Sequence, residues 1–422
     1  MPAPITDPPE APGPYRWYVL GVLVCTGIFS IADRLVLSIL LEDIKAEFAL
    51  SDTQLGLLTG LAFSLFYVTF GFPFARLADR RTRKNIIAFA IVLWSAMTAL
   101  CGAALGFWSL FFARMGVGVG EAGSGPAAQS LLADYFRRHE LGRAMGVLSL
   151  GSTLGTATGL IAGGLLAEAF GWRMAFVLLG APGILLGALL YLTVREPPRG
   201  RYAPGGAAEA SQRPLGETIR RLLANKVYLG VMAGWAVQIM IGYAIAIWTA
   251  PVMIRQFGVT PAVVGTFLGL AFIVGGIPGP ILGGLLSDRL AQRDERWRAW
   301  LPGIAGVACI LPLALAFNQT EFWAFLAMFV VFYAIFLLTQ APILSLIQTS
   351  LDAGERAFGV AFALFFNNLI GQTVGAGAVG WLSDRLGPGS LGEAILIVCA
   401  LAGVMALAIF LWTARQIRLA AG

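Results

Sequence analysis

Runs of about twenty or more apolar residues follow one another along nearly the whole chain, separated by short links rich in arginine, lysine, glycine or proline. A hydrocarbon core about 30 Å thick takes about 20 helical residues to cross, and a helix satisfies every one of its own backbone groups there. The pattern therefore predicts an all-α polytopic membrane protein. Twelve spans are expected, near residues 17–41, 53–77, 85–107, 110–133, 143–168, 173–194, 227–254, 262–287, 299–317, 322–349, 356–382 and 390–414. Residues 1–14 are proline-rich and read as a disordered tail, without the charged-then-apolar order of a cleaved signal peptide. Tyr15, Trp17 and Tyr18 then open the first span as an interfacial aromatic belt.

The longest link, 195–226, divides the chain into a six-helix bundle at 15–194 and another at 227–422. Its latter part, LGETIRRLLAN, places Leu215, Ile219, Leu222 and Leu223 on one helical face. That stretch is either a helix lying on the membrane surface or a solvated linker. An internal repeat supports the division. Gly56, GLAF at 60–63 and Asp79-Arg80 recur at one constant offset as Gly265, GLAF at 269–272 and Asp288-Arg289. A second register relates Gly155, Gly159, Gly164 and Glu168 to Gly371, Gly375, Gly380 and Asp384. Two repeats in the same orientation imply an axis along the membrane normal with a midplane site between them.

Charge orients the bundle. Most of the 29 Lys and Arg fall in the tails and even-numbered links, which places both termini in the cytoplasm. With no organelle signal in view, the expected address is the plasma (inner) membrane. The net charge of +6 is thus a topology signal and not a nucleic-acid footprint. With 58% hydrophobic and 12% charged residues, the 422-residue chain departs far from the roughly 25% charge of soluble domains. Cys25, Cys101, Cys309 and Cys399 all sit in apolar runs without metal-ligand spacing, so neither disulfide nor metal site is expected. The sole histidine, His139, lies in a basic link, and no GxxxxGK[ST] run is present. No catalytic constellation and no cofactor are expected, and the protein reads as a monomer and not an enzyme.

Two apolar runs carry charge at mid-span. The fourth holds Arg114 and Glu121 within RMGVGVGEAGSGP, and the first holds Asp33 and Arg34. Arg114 and Glu121 lie two helical turns apart, roughly 10 Å along one face. A charge at the bilayer centre costs about 3 kcal/mol on insertion scales, so such residues turn inward, pair and mark pathways. Gly116, Gly118, Gly120, Gly123 and Gly125 would let neighbouring helices come close. The first and fourth spans are expected to meet, with Asp33, Arg34, Arg114 and Glu121 forming a protonation switch and substrate anchor. In this scheme Glu121 exchanges its proton as Arg114 leaves and returns, and Asp33 alternates likewise with Arg34. Forked guanidiniums also suit a phosphate or carboxylate head group. The same residues admit a second reading, a permanently paired cluster that only locks the helices.

The second half has no comparable mid-span charge. It offers neutral groups, of which Tyr243, Gln340, Asn367, Asn368 and Gln372 are candidate substrate contacts, and helix–helix hydrogen bonds are the alternative for each. Phe332, Phe336, Phe362, Phe365 and Phe366 read mainly as packing or lipid-facing residues.

ARLADRRTRKNII, residues 75–87, resembles the signature loop of the major facilitator superfamily, GxLaDRxGRK, with Ala75 and Thr82 where glycines are usual. GLLSDRLAQR from Gly284 is its second copy. The resemblance implies a gating role in which Asp79 meets a neighbouring helix end while Arg80, Arg83 and Lys84 hold the cytoplasmic face closed. Asp288, Arg289, Glu168 and Asp384, at the repeat-related positions, complete the expected gating set. In span five, GSTLGTATGLIAGG makes a flat glycine face for close helix contact and resembles the antiporter-associated motif, with Leu160 where that motif has proline.

The wider match is IADRLVLSILLEDIKAEFALSDTQLGLLTGLAFSLFY together with ARMGVGVGEAGSGPAAQSLLADYF, which resembles the Spinster family of facilitators. That resemblance implies the major facilitator fold of two parallel six-helix repeats, alternating access, proton coupling, and an amphiphilic solute of lysophospholipid or sphingosine type. On it, Asp33, Arg34, Arg114 and Glu121 are the coupling and substrate-gating group. The partners it implies are membrane lipid, a lipid-like or organic-anion solute, and protons. The first-helix Asp-Arg and the fourth-helix Arg…GxGEA also resemble a branch that moves sugar-acid anions with protons. A broad drug exporter is a third reading, and a transport-inactive sensor or passive scramblase a reading from another class.

Overall fold

The computed structural model describes residues 13–202, 215–352 and 355–421, all helices and short connections with no strand among the described residues. Among the described residues, ten helices are long and apolar enough to cross a membrane. One of them, Arg138–Thr193, is two spans joined at Gly171, whose φ of 80° is a conformation that L side chains rarely adopt. Divided there into a fifth and a sixth segment, and with the broken fourth segment added, the helices make twelve membrane-length segments.

The first (Tyr15–Phe48), third (Arg83–Cys101), seventh (Lys226–Phe257) and twelfth (Leu391–Ala421) segments are continuous. The second breaks at Gly60 between Asp52–Thr59 and Leu61–Arg80. The eighth comprises Pro261–Gly276 and Pro278–Ala291, the ninth Trp297–Ala308 and Ile310–Phe317, and the tenth Phe322–Leu337 and Gln340–Ser350. In the eleventh, Arg356–Phe366 and Thr373–Leu386 are joined by a π-helical turn, Asn367–Gln372.

The fourth segment departs from the single helix expected over 110–133. It runs as Phe107–Glu121 and then Ser124–Ala133. Pro126 accounts for the break, since a proline ring collides with the carbonyl four residues earlier, here that of Ala122. Glu121 therefore ends a helix and does not sit inside one.

Glycine sets the helix spacing. A Cβ on Gly120 would lie 2.6 Å from the Trp94 backbone nitrogen, and one on Gly118 would overlap the Phe63 carbonyl, so the fourth segment presses on the third and second. The glycine face of the fifth segment packs on the first. Cβ atoms on Gly155 and Gly159 would each come within 2.7 Å of carbonyls there, those of Ile28 and Ala32. This is the close contact expected from the four-residue spacing.

Two seams join the first six segments to the last six. In one, the second segment meets the eleventh, where a Cβ on Gly56 would lie 2.8 Å from the Ala376 carbonyl. In the other, the fifth meets the eighth through Gly164 on Pro261, Gly265 on Leu160 and Gly269 on Ile161. These contacts lie toward the face opposite the 195–226 link. Toward the link itself the fifth and eighth segments separate, leaving Leu150, Leu154, Val274, Ile277 and Ile281 exposed, with open space beside Gly142 and Gly146. The fifth–eighth seam is closed on one face and parted toward the other.

The link contains a helix, Leu215–Ala224, with Leu222 fully buried against the last six segments. It docks on the protein by that side chain while Leu223 stays exposed, so this part of the link is a helix and not a plain solvated linker. Leu215 is helical, and its side chain lies outside the described residues.

Candidate coupling and substrate site

The first and fourth segments do meet at their charges, but the partners are crossed relative to expectation. Glu121 accepts from Arg34 Nε and Nη2, each at 2.6 Å, and from Ser30 Oγ at 2.8 Å. Arg114 donates to the backbone carbonyl of Asp33 at 3.2 Å and forms no ion pair among the described residues. Asp33 accepts instead from Thr98 Oγ1 at 3.2 Å, from the third segment. The reason is angular. Neighbouring helix positions point about 100° apart, so Asp33 and Arg34 cannot pair with each other; one turns to the third segment and the other to Glu121.

Aromatic rings complete the site. The Arg34 guanidinium sits 4.4 Å from the centre of the Phe63 ring and 4.8 Å from that of Tyr67. Arg114 lies 5.5 Å from Phe63, so that ring stands near both guanidiniums. Such contacts are worth about 2 kcal/mol when desolvated. Arg34 keeps 11% of its side chain exposed, whereas Glu121 shows none. One Glu121 oxygen, one Asp33 oxygen and Arg114 Nε are buried without a hydrogen-bond partner. The cluster thus has spare acceptor capacity, as a site that takes up a proton or a bound group requires.

From the last six segments, Tyr243 lies within electrostatic reach of Arg34 and donates to Asn368 Oδ1 at 3.2 Å. Next to them, a crevice of about 320 Å³ is lined by Tyr67, Phe72, Gln129, Phe362, Phe365 and Asn368. Phe72 and Phe365 touch across it at 4.8 Å between ring centres. Asn367 is buried with both side-chain polar atoms unpartnered, inside the π-helical turn. Gln372 donates to the Thr59 carbonyl at 3.0 Å and so joins the two halves. Gln340 is exposed on the tenth segment and is not brought to this group by any hydrogen bond. Phe332 and Phe336 are buried in packing, whereas Phe362, also buried, lines the crevice with Phe365.

The expected gating set divides. Arg83 is buried and donates to Asp134 at 2.5 Å, Glu196 at 2.7 Å and Ser130, while Lys84 donates to the Tyr191 carbonyl. Both therefore tie the first six segments to one another. Neither forms a hydrogen bond or ion pair to the other half among the described residues. Arg80, Asp288, Arg289 and Glu168 are exposed and form no ion pair among the described residues. The side chain of Asp79 lies outside the described residues. Asp384 alone crosses a seam. It caps the second segment, accepting from the backbone N–H groups of Asp52 at 3.0 Å and Thr53 at 2.8 Å, and from Thr53 Oγ1.

Sequence reasoning missed the larger assembly around that cap. Arg255 donates to both Asp52 oxygens, at 2.9 and 2.7 Å, and to Glu42. Lys45 and Ser383 also donate to Asp52, at 2.5 and 2.7 Å. This clasp links the first, second, seventh and eleventh segments on the closed face. Its one sequence signal was the capping box Ser51-x-x-Gln54, which marks Asp52 as the first residue of a helix.

The family model for the Major Facilitator Superfamily matches residues 22–376. An MFS-type efflux pump of Mycolicibacterium smegmatis is 35% identical over 98% of this chain and 96% of its own. Protein spinster homolog 1 of Bos taurus is 27% identical over 94% of this chain and 80% of its own. Among solved structures, a bacterial homolog of the human lysosomal transporter Spinster, inward-facing and unoccupied, superposes with a TM-score of 0.83 at 28% identity, covering 97% of each chain.

Proposed function

The chain belongs to the Major Facilitator Superfamily and resembles its Spinster proteins, and from that membership we propose that it is a proton-coupled transporter of an amphiphilic, lipid-like solute with an acidic head group. The observation that carries the reading is the buried Arg34–Glu121 pair beside a phenylalanine-lined crevice. A proton on Glu121 neutralises the carboxylate and releases the guanidinium. Arg34, stacked on Phe63 and Tyr67, is then an anion site at the head of an apolar slot, and proton and head group enter in succession. Arg114, held on the Asp33 backbone carbonyl, is a reserve cation and Asp33 a second buried carboxylate, and Tyr243, Asn367 and Asn368 supply neutral hydrogen bonds from the other half. The parted link-side face is the cytoplasmic one in this reading, so the state is inward-facing with the clasp shut.

The efflux-pump relative supports a second reading. A cationic amphiphile would bind Glu121 directly and displace its proton, so export would exchange against inward protons. The two readings predict opposite signs. In proteoliposomes, an anionic lysophospholipid should move in the direction of the proton gradient, and a cationic dye against it. Glu121→Gln should abolish gradient dependence in either case. Wild-type flux with an unchanged pH profile in that variant would sink the coupling proposal.

A further inference from the structure

At the link-side ends of the ninth and twelfth segments lies a groove of about 570 Å³, remote from the coupling cluster. Three guanidiniums line it, those of Arg296, Arg415 and Arg418, with Trp300, Leu411 and Leu419, and no carboxylate is among its lining residues. On the twelfth segment, positions 411, 415, 418 and 419 share one helical face, so two arginines stand between two leucines. Arg296 is fixed in place. It is clamped by Asp294 at 2.5 and 2.8 Å and stacked 4.6 Å over Trp300, which meets Trp297 edge-on at 5.4 Å. Arg415 and Arg418 form no ion pair among the described residues. They follow directly on the apolar run ILIVCALAGVMALAIFLW, so the groove sits where the bilayer passes from acyl chain to head group.

We propose that this groove is a binding site for an acidic phospholipid of the surrounding membrane, with the phosphodiester on Arg415 and Arg418 and an acyl chain along Leu411 and Trp300. Charge complementarity selects the class. Asp294 is clamped to Arg296 and lies within electrostatic reach of Arg418, so its single charge is shared among three guanidiniums, and the excess positive charge suits a head group with phosphate and no amine, such as phosphatidylglycerol. A soluble phosphate would use the arginines but leave Leu411 and Leu419 exposed; a lipid covers both. Forked donors on adjacent helical turns suit phosphate oxygens.

The test is native mass spectrometry of the full chain, released from micelles doped with phosphatidylglycerol, phosphatidylethanolamine, phosphatidylcholine or inorganic phosphate. Wild type should retain phosphatidylglycerol and none of the other three. One basic residue near an anionic surface contributes about 1 kcal/mol, about fivefold in affinity, so Arg415→Gln with Arg418→Gln should weaken retention about 25-fold. Arg415→Lys with Arg418→Lys should restore most of it, which a folding defect would not allow, and Arg220→Gln on the link helix serves as a charge control. Equal retention of phosphatidylcholine, retention of phosphate alone, or an unchanged double glutamine variant would each overturn the proposal.

Discussion

Two of the molecule's arginine–carboxylate assemblies have similar bond lengths and different surroundings. Arg34–Glu121 lies wholly within the first six segments, with Glu121 fully buried and one cation as its partner. The clasp at Asp52 spans both halves, shares its carboxylate among Arg255, Lys45 and Ser383, and leaves Arg255 and Lys45 one-quarter to one-third exposed. In the proposed cycle the first changes its protonation while its helices stay in place. The second cannot survive separation of the halves on that face, because its partners sit on segments that would part. Chemistry alone does not assign such pairs a job; the elements they connect do.

Removing one partner from each assembly separates the two most sharply. Arg34→Ala leaves Glu121 as an uncompensated buried charge, and breaking such a pair costs about 3 to 5 kcal/mol. Replacing both, as Arg34→Leu with Glu121→Leu, removes the charge along with its need for a partner and should recover most of that loss. Thermal unfolding in detergent reads the difference. If the single variant melts with wild type, the pair is not a dry one and the comparison fails.

Part of this was legible in the sequence for a physical reason. A charge inside an apolar run is costly, so Asp33, Arg34, Arg114 and Glu121 stood out, and the expectation that their helices meet holds. The partners were not legible. They depend on the angle between adjacent helix positions and on the bend that Pro126 imposes just after Glu121, neither of which pattern reading resolves. Asp52, Arg255, Lys45 and Glu42 escaped notice because charges at helix ends are ordinary there. The twelve segments were readable from length and hydropathy, including the division between the fifth and sixth that falls at Gly171.

The clasp should show smaller and salt-dependent effects. Arg255→Ala removes bonds to Asp52 and Glu42 at a partly exposed site, about 1 to 2 kcal/mol, which is about tenfold in the balance between closed and open forms of that face. Spin labels introduced at Leu150→Cys and Ile277→Cys, on the parted link-side ends, should then report a larger population at short distance. Raising salt to 1 M shortens the screening length from about 10 to about 3 Å, and should move wild type toward the variant while leaving the buried pair unaffected. An unchanged distance distribution in Arg255→Ala would mean that the glycine seams alone hold that face.

The smallest effect tests whether the two seams are equivalent. Glu168 and Asp384 occupy repeat-related positions at the ends of the fifth and eleventh segments, each beside the first turn of a helix from the other half. Asp384 caps that turn at Thr53. Glu168 does not; at the start of the eighth segment Thr260 is the residue that accepts from Val263 N–H. Asp384→Asn retains an acceptor and loses charge, so it should shift the same spin-label balance by less than about 1 kcal/mol, about fivefold at most. Glu168→Gln should leave it unchanged. Equal shifts in both variants would show that the repeat is symmetric in energy as well as in sequence, and the clasp would then be one of two latches. A shift in Asp384→Asn alone makes the second–eleventh seam the polar hinge of the closed face, with the fifth–eighth seam holding by glycine contact.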